Sequence, residues 1–248
     1  MGLAYRTSVI ACTVSVLLYR LQARGICDTI PCIAQHGGTT AMTFTPSTIA
    51  ALIVAISFAA GLNVYATVAT LGILAHFHWV MLPSGLHALT NPWVIGVSAL
   101  LFAVEFFADK IPAFDLVWNA AQTFVRVPVA TLVAYKAASQ LSPEMQLLAT
   151  AAAAIIAAIA HTSKTAARTL VTVSPEPASN IALSTTEDAA AIGLTWVATH
   201  HPYTGGAIAA ACVLLLIFSF RWIILRLRRL WERRPAWLRA NPNEPTVV

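Results

Sequence analysis

Charge is what this sequence has least of. Asp, Glu, Lys and Arg together make up 10% of the 248 residues, and none of them occurs from Thr43 to Val104. A soluble domain carries about 25% charged residues, so a water-facing surface is excluded for most of the chain, and no stretch is polar enough to form a soluble domain of its own. Motifs of membrane-associated hydrolysis and phosphotransfer are also missing. There is no HExxH zinc helix, no GxSxG nucleophile elbow and no phosphotransferase-type Asp repeat. The four cysteines form no CxxC pair and no Cys/His cluster at zinc spacing. No metal and no cofactor is therefore expected. Cys27 and Cys32 would be free to pair only if that segment were exported.

What is present is apolar length. Hydrophobic residues make up 58% of the chain and the mean hydropathy is +0.73, which is the composition of a polytopic membrane protein. The expected fold is all-α, a polytopic transmembrane helical bundle of about six to seven helices. Three regions are distinguished. Residues 1–41 contain an apolar run, Ser8 to Leu18, of the length of a signal core, flanked by Arg6 and Arg20 and followed by no small-residue cleavage site. Met42 stands just before a helix start. The preferred reading is a native start near Met42, with a genuine signal or anchor segment as the alternative. Residues 42–232 form the membrane-embedded domain, and 233–248 a disordered basic tail.

Within the domain, Thr48 to Leu82 is too long for one perpendicular span at ~1.5 Å per residue, and Gly61-Leu62-Asn63 marks a break. Helices are expected at 46–60, 62–80, 92–109, 113–137, 143–172, 178–199 and from 205 into an arginine cluster. Asn91-Pro92, Lys110-Ile111-Pro112, Ser142-Pro143, Ser174-Pro175-Glu176-Pro177 and His201-Pro202 punctuate them. Trp79 and Trp93 sit where interfacial aromatics belong. Arg221, Arg226, Arg228, Arg229, Arg233, Arg234 and Arg239 read as a positive-inside anchor rather than a nucleic-acid patch, which places the C-terminus in the cytoplasm of an inner-membrane protein. The segments 92–137 and 143–199 are loosely alike, the mark of an internal duplication of transporter type, at too low an identity to decide it.

The charges that do occur inside helices are ordered. Ser98, Phe102, Glu105 and Asp109 share one face, as do Asp115, Asn119, Gln122, Thr123 and Arg126. Gln146, Thr150, His161, Lys164, Thr165 and Arg168 form a third stripe, and Asn180, Ser184, Glu187, Asp188 and Thr195 a fourth. In a bilayer such stripes turn to the bundle interior, and their signs are complementary, so ion pairs of Glu105 or Asp109 with Lys164 or Arg168 are expected. A charge at the bilayer centre costs roughly 3 kcal/mol on insertion scales, and such charges tend to mark function. Two readings stand side by side: a polar cavity for a solute or for protons, and a salt-bridge network that only fixes helix register. His161 is either a proton-relay group or a hydrogen-bonded cavity histidine. The break at Asn63 is either an unwound segment offering carbonyls to a ligand or a plain turn.

At these residues the chain resembles a known family. Glu105-Phe106-Phe107-Ala108-Asp109-Lys110-Ile111-Pro112 with Asp115, Trp118, Thr123 and Arg126 is similar to the signature of the bacterial domain-of-unknown-function family 4126. So are Gly61-Leu62-Asn63-Val64-Tyr65 and Ser174-Pro175-Glu176-Pro177-Ala178-Ser179-Asn180. The resemblance covers about residues 46–230 and departs at Val127-Pro128-Val129, where Pro directly after Arg126 is expected. It implies a multi-pass bacterial inner-membrane protein and brings no established activity.

The function expected first is transport of a small solute, ion or lipid headgroup through a buried charged site. That site consists of Asn63, Glu105, Asp109, Asp115, Asn119, Thr123, Arg126, His161, Lys164, Arg168, Asn180, Glu187 and Asp188. A structural or assembly protein with a register-fixing network is the alternative. A lipid-modifying enzyme using Glu105, Asp109 and His161 as acid and base ranks below both, for want of motifs. The partners expected are the bilayer and a small solute or ion, without nucleic acid, and oligomerisation is left open.

Overall fold

A computed structural model describes the backbone of residues 44–110, 112–172 and 177–232, and the side chains of these except at 112–117, 119, 170–172, 177–178, 180, 230 and 232. The readings for 1–41 and for the 233–248 tail fall outside the described residues. Phe44 onward is one compact unit. It is all-α: α1 (Pro46–Leu62), α2 (Val64–His76), a 3-10 helix (Ser84–Thr90), α3 (Pro92–Ala108), α4 (Pro112–Ala137), α5 (Pro143–Thr172), α6 (Pro177–His200) and α7 (Pro202–Glu232).

Proline opens six of these helices, at a position whose N–H has no intrahelical acceptor in any case. Thr45 and Asn91 cap α1 and α3 through their side chains. The second helix stops at His76 rather than near residue 80, because His78 turns left-handed, φ 58°. The Trp79 N–H then reaches back to Leu74 O at 2.9 Å and closes the helix end. Residues 84–90, which lie between two expected helices, form the 3-10 helix, and the last helix begins at Pro202 rather than 205.

Helix α1 carries no charge and lies at the centre, packed against α4, α5, α6 and α7. Ile49, Leu52, Ile53, Ile56 and Ala59 are buried along its length. Its neighbours approach closely because the contacts are small residues. A Cβ on Gly61 would stand 2.6 Å from both Ala157 O and Ala160 Cβ of α5, and one on Gly206 of α7 would stand 2.9 Å from Ala51 O. Without a hydrophobic drive between helices in lipid, such backbone-close packing supplies the association.

Ala51 lies level with Gly206, and Ser47 and Thr48 with Tyr203 at the start of α7, so α1 runs parallel to α7, while Gly61 packs on Ala157 and Ala160 well into α5. The Tyr203 hydroxyl, 3.0 Å from Ser47 Oγ and 3.1 Å from Thr48 Oγ1, ties the two helix starts together. Helix α2 then turns back. Its end is bound to the start of α3, with His76 Nδ1 3.0 Å from Thr90 O and Gly72 packed on Leu89 O and Ile95. The 3-10 helix meets the end of α4, where Gln140 donates to Ser84 Oγ at 3.1 Å.

The end of α2 thus returns to the side on which α1 starts, and the two helices form a hairpin with its tip at Leu62-Asn63, about 25 Å from the start of α1 at ~1.5 Å per residue. Helices α3 to α7 run alternately around it. The face opposite the hairpin ends is where α7 carries Arg226, Arg228 and Arg229, called here the arginine face.

Among the described residues, two helices, within Pro143–Thr169 and Pro202–Arg229, are long and apolar enough to cross a membrane, and the 3-10 helix with α3, bent by 68°, makes a third if taken as one span. Leu214, Leu215, Phe218, Trp222, Ile224 and Leu227 stand exposed on α7, as lipid-facing residues do. This is a membrane protein by length and composition.

Replacing Gly61 by Ala is expected to cost about 1–3 kcal/mol through overpacking despite alanine's better helix propensity. Gly96→Ala, at a site with open space around it, is expected to leave stability equal or higher. The thermal unfolding midpoints of the two purified variants in detergent check the pair.

Candidate functional site: a buried charge cluster

The hairpin tip exists because Asn63 leaves the helical conformation, φ −149° and ψ 103°. Its Oδ1 accepts the Ala66 N–H at 2.9 Å and caps α2. Its carbonyl accepts the Thr67 hydroxyl at 2.8 Å. Its Nδ2 donates to Asp188 Oδ1 of α6 at 2.8 Å. The break ends α1 one residue earlier, and Leu62 O, left without a helical partner, accepts Arg126 Nη1 at 2.9 Å and Lys164 Nζ at 3.1 Å. Two buried cations thus meet the negative end of the α1 dipole.

Three acids, two at the end of α3 and one on α6, answer these cations. Glu105 of α3 pairs through Oε1 with Arg126 Nη2 and with Lys164 Nζ at 3.3 Å. Asp109, just past α3, pairs through Oδ2 with Lys164 Nζ at 3.4 Å and Arg168 Nη2 at 2.7 Å. Glu187 of α6 accepts from Arg168 Nη2 at 2.8 Å and Nε at 3.2 Å, and lies 3.4 Å from Lys164. Lys164 is the hub, within ion-pair reach of three carboxylates and one carbonyl. Glu105, Asp109 and Arg126 are fully buried, and Lys164, Arg168 and Asp188 are at most 3% exposed.

His161, one turn before Lys164 on α5, faces Arg126 Nη1 through Nδ1 at 3.3 Å and Thr123 Oγ1 through Nε2 at 2.8 Å. A guanidinium only donates, so geometry assigns the lone pair to Nδ1 and the ring hydrogen to Nε2, which donates to the Thr123 hydroxyl. Gln122 donates to the Tyr65 hydroxyl at 3.2 Å, which joins α4 to α2 just past the tip.

The structure therefore brings together Asn63, Glu105, Asp109, Thr123, Arg126, His161, Lys164, Arg168, Glu187 and Asp188. The side chains of Asp115, Asn119 and Asn180 fall outside the described residues. Of the ion pairs expected between α3 and α5, Glu105 takes Lys164 and Asp109 takes both Lys164 and Arg168. Sequence reasoning did not find the Leu62 carbonyl as the shared acceptor of two cations, nor Arg126 as the main partner of Glu105. The Gly-Leu-Asn break signalled the first. Nothing local signalled the second. Among the described residues no group of three or more His, Cys, Asp or Glu is arranged to hold a metal ion.

The family model for a domain of unknown function, DUF4126, matches residues 50–222. The chain belongs to this family. The matched region runs from α1 into α7 and so contains every member of the charge cluster. No curated protein and no solved structure matches the chain.

Removing one partner of a buried ion pair leaves the other uncompensated, which costs about 3–5 kcal/mol. Arg126→Met is expected to lose that much. The double variant Arg126→Met/Glu105→Gln is expected to recover a measurable part of it, by ~1 kcal/mol or more of coupling. Thermal or denaturant unfolding of the four proteins in a double-mutant cycle checks this.

Proposed function

We propose that this DUF4126 protein is a permease-like carrier of the inner membrane, multi-pass, with its C-terminus in the cytoplasm. The observation that carries the reading is the placement of seven charged side chains at the tip of a hairpin. A register lock needs one or two pairs. Here three cations and four acids from α3, α4, α5 and α6 converge on a broken helix, the kind of element that in secondary transporters presents helix ends and carbonyls to a substrate. The arginines at the end of α7 support the orientation, since Lys and Arg flanking a span are retained in the cytoplasm. The cluster then lies toward the cytoplasmic half.

The substrate class follows from which groups can exchange partners. Arg126 and Arg168 each hold a carboxylate of the chain through charge-assisted bonds. A solute carboxylate or phosphate, free or on a lipid headgroup, offers the same geometry and would displace Glu105 or Glu187. The paired arrangement is then the unloaded, closed state, in which acidic side chains occupy the place of the substrate.

A second reading is favoured by how fully the pairs are met within the chain. Lys164 and Arg168 each reach two or more acids, so the network alone could be a lock on helix register, serving assembly rather than passage.

The two readings separate on folded, charge-neutral variants. Cells lacking the gene are expected to accumulate or lose an anionic metabolite or lipid relative to wild type. Wild-type protein is expected to restore the level, while an Arg168→Gln variant present in the membrane at wild-type amount restores less than a tenth of it. If every neutralised variant at Glu105, Arg126 and Arg168 fails to fold, the network is a structural lock and the carrier reading is lost.

A further inference from the structure

Among the described residues, the buried cluster contains one acid more than it has bases. Glu105, Asp109 and Glu187 each lie within 4.0 Å of one or more of Arg126, Lys164 and Arg168. Asp188 does not. Its Oδ1 accepts the Asn63 amide at 2.8 Å, and its Oδ2 is buried with no hydrogen-bond partner. The residue is 3% exposed. A carboxylate taken out of water with no cation in ion-pair contact and no second donor is costly, and the cost is relieved by neutralising it.

We propose that Asp188 is the site at which this protein takes up and releases a proton, and that Asn63 at the hairpin tip reads its charge. This supplies the coupled step of the carrier reading and rests on that reading for its purpose, although the protonation itself does not require it.

The surroundings favour a proton over a metal cation. A Na⁺-like or divalent ion would need several oxygens around Oδ2. The Asn63 amide oxygen, Oδ1, is taken by the Ala66 N–H, the carbonyl of Leu62 is taken by Arg126 and Lys164, and among the described residues no group of three or more His, Cys, Asp or Glu is arranged to hold a metal ion. A proton needs only Oδ2. The charged groups clustered around Asp188 are Arg126 from α4, Lys164 and Arg168 from α5, Glu105 and Asp109 from the end of α3, and its neighbour Glu187, and the three bases are each in ion-pair contact with one or more of the other three acids. Helix α1 carries no titratable side chain. In α2, Tyr65 is turned to Gln122 and His76 to Thr90.

The consequence is mechanical. An ionised Asp188 holds Asn63 Nδ2 by a charge-assisted bond, about twice as strong as a neutral one. When a proton from water adds to Oδ2, the charge is gone and that bond weakens. When the proton returns to water the bond is restored, and no covalent bond of the chain changes. Asn63 also caps α2 and follows Leu62, whose carbonyl anchors Arg126 and Lys164. The charge state of one side chain on α6 therefore reaches both helices of the hairpin and the hub of the ion-pair network.

The test uses the full chain in a lipid bilayer and no substrate. In infrared difference spectra between low and high pH, wild type is expected to show a protonated-carboxyl band. The band should be absent in Asp188→Asn, shifted in Asp188→Glu and kept in Glu105→Gln. Hydrogen exchange at the Ala66 N–H, corrected for its intrinsic pH dependence, should rise at least tenfold at low pH in wild type and stay flat in Asp188→Asn. A band unchanged by Asp188→Asn, or unshifted in Asp188→Glu should the first variant not fold, overturns the proposal. So does equal exchange behaviour in the two proteins. A band that behaves as expected, with no solute affected by gene loss, sinks the carrier reading alone. A clear transport phenotype with no Asp188 band sinks the proton site alone.

Discussion

The interaction on which the rest depends is the grip of two cations, Arg126 and Lys164, on the freed carbonyl of Leu62. A helix that stops inside a protein core leaves carbonyls that water cannot reach, and each one left unmet costs about 1–3 kcal/mol. A charge buried there is equally out of place. Here each problem solves the other. The broken end of α1 needs donors, and α4 and α5 carry donors that need acceptors. Once the cations are there, Glu105, Asp109 and Glu187 must be near them, and this ties α3 and α6 to the same point.

The small-residue seams around α1 follow from that demand. Side chains from four helices reach the tip only if their backbones stand close to the hairpin. Gly61 against Ala157 and Ala160, and Gly206 against Ala51, provide the close approach. The same seams leave α1 nearly inaccessible over its lower half, which is what excludes water and keeps the ion pairs strong. Packing and electrostatics are one arrangement here: loosening the seam would admit water, and removing a charge would leave a helix end unmet.

The sharing of partners gives the network its character. Lys164 touches three carboxylates and a carbonyl, and Arg168 bridges two acids. A network in which each cation already has alternative partners can exchange one for another at a smaller cost than an isolated pair can break. That property separates a site from a bolt, and it makes the unshared Asp188, held by one neutral amide, the member most open to change of charge.

Much of this was legible in the sequence. The charge desert from Thr43 to Val104, the prolines at helix starts and the four polar stripes set the class of protein, the helix order and many of the described residues that turn inward, Glu105, Arg126, Lys164 and Asp188 among them but not the exposed Thr123, because hydropathy and helical period are local properties of the chain. The expected ends failed where a local conformation overrode the pattern, as at left-handed His78. Three things came only from the tertiary structure. One is that α2 returns to the side on which α1 starts, since a break at Gly61-Leu62-Asn63 fits a kinked span as well as a hairpin. Another is the pairing of Glu105 with Arg126, since several acids and bases had compatible spacing and only helix packing chooses among them. The last is the isolation of Asp188, set beside Glu187 in sequence but turned to Asn63 rather than to a base. Sequence fixes which side chains share a face of one helix, whereas which faces meet, and at what depth, is decided by packing between helices.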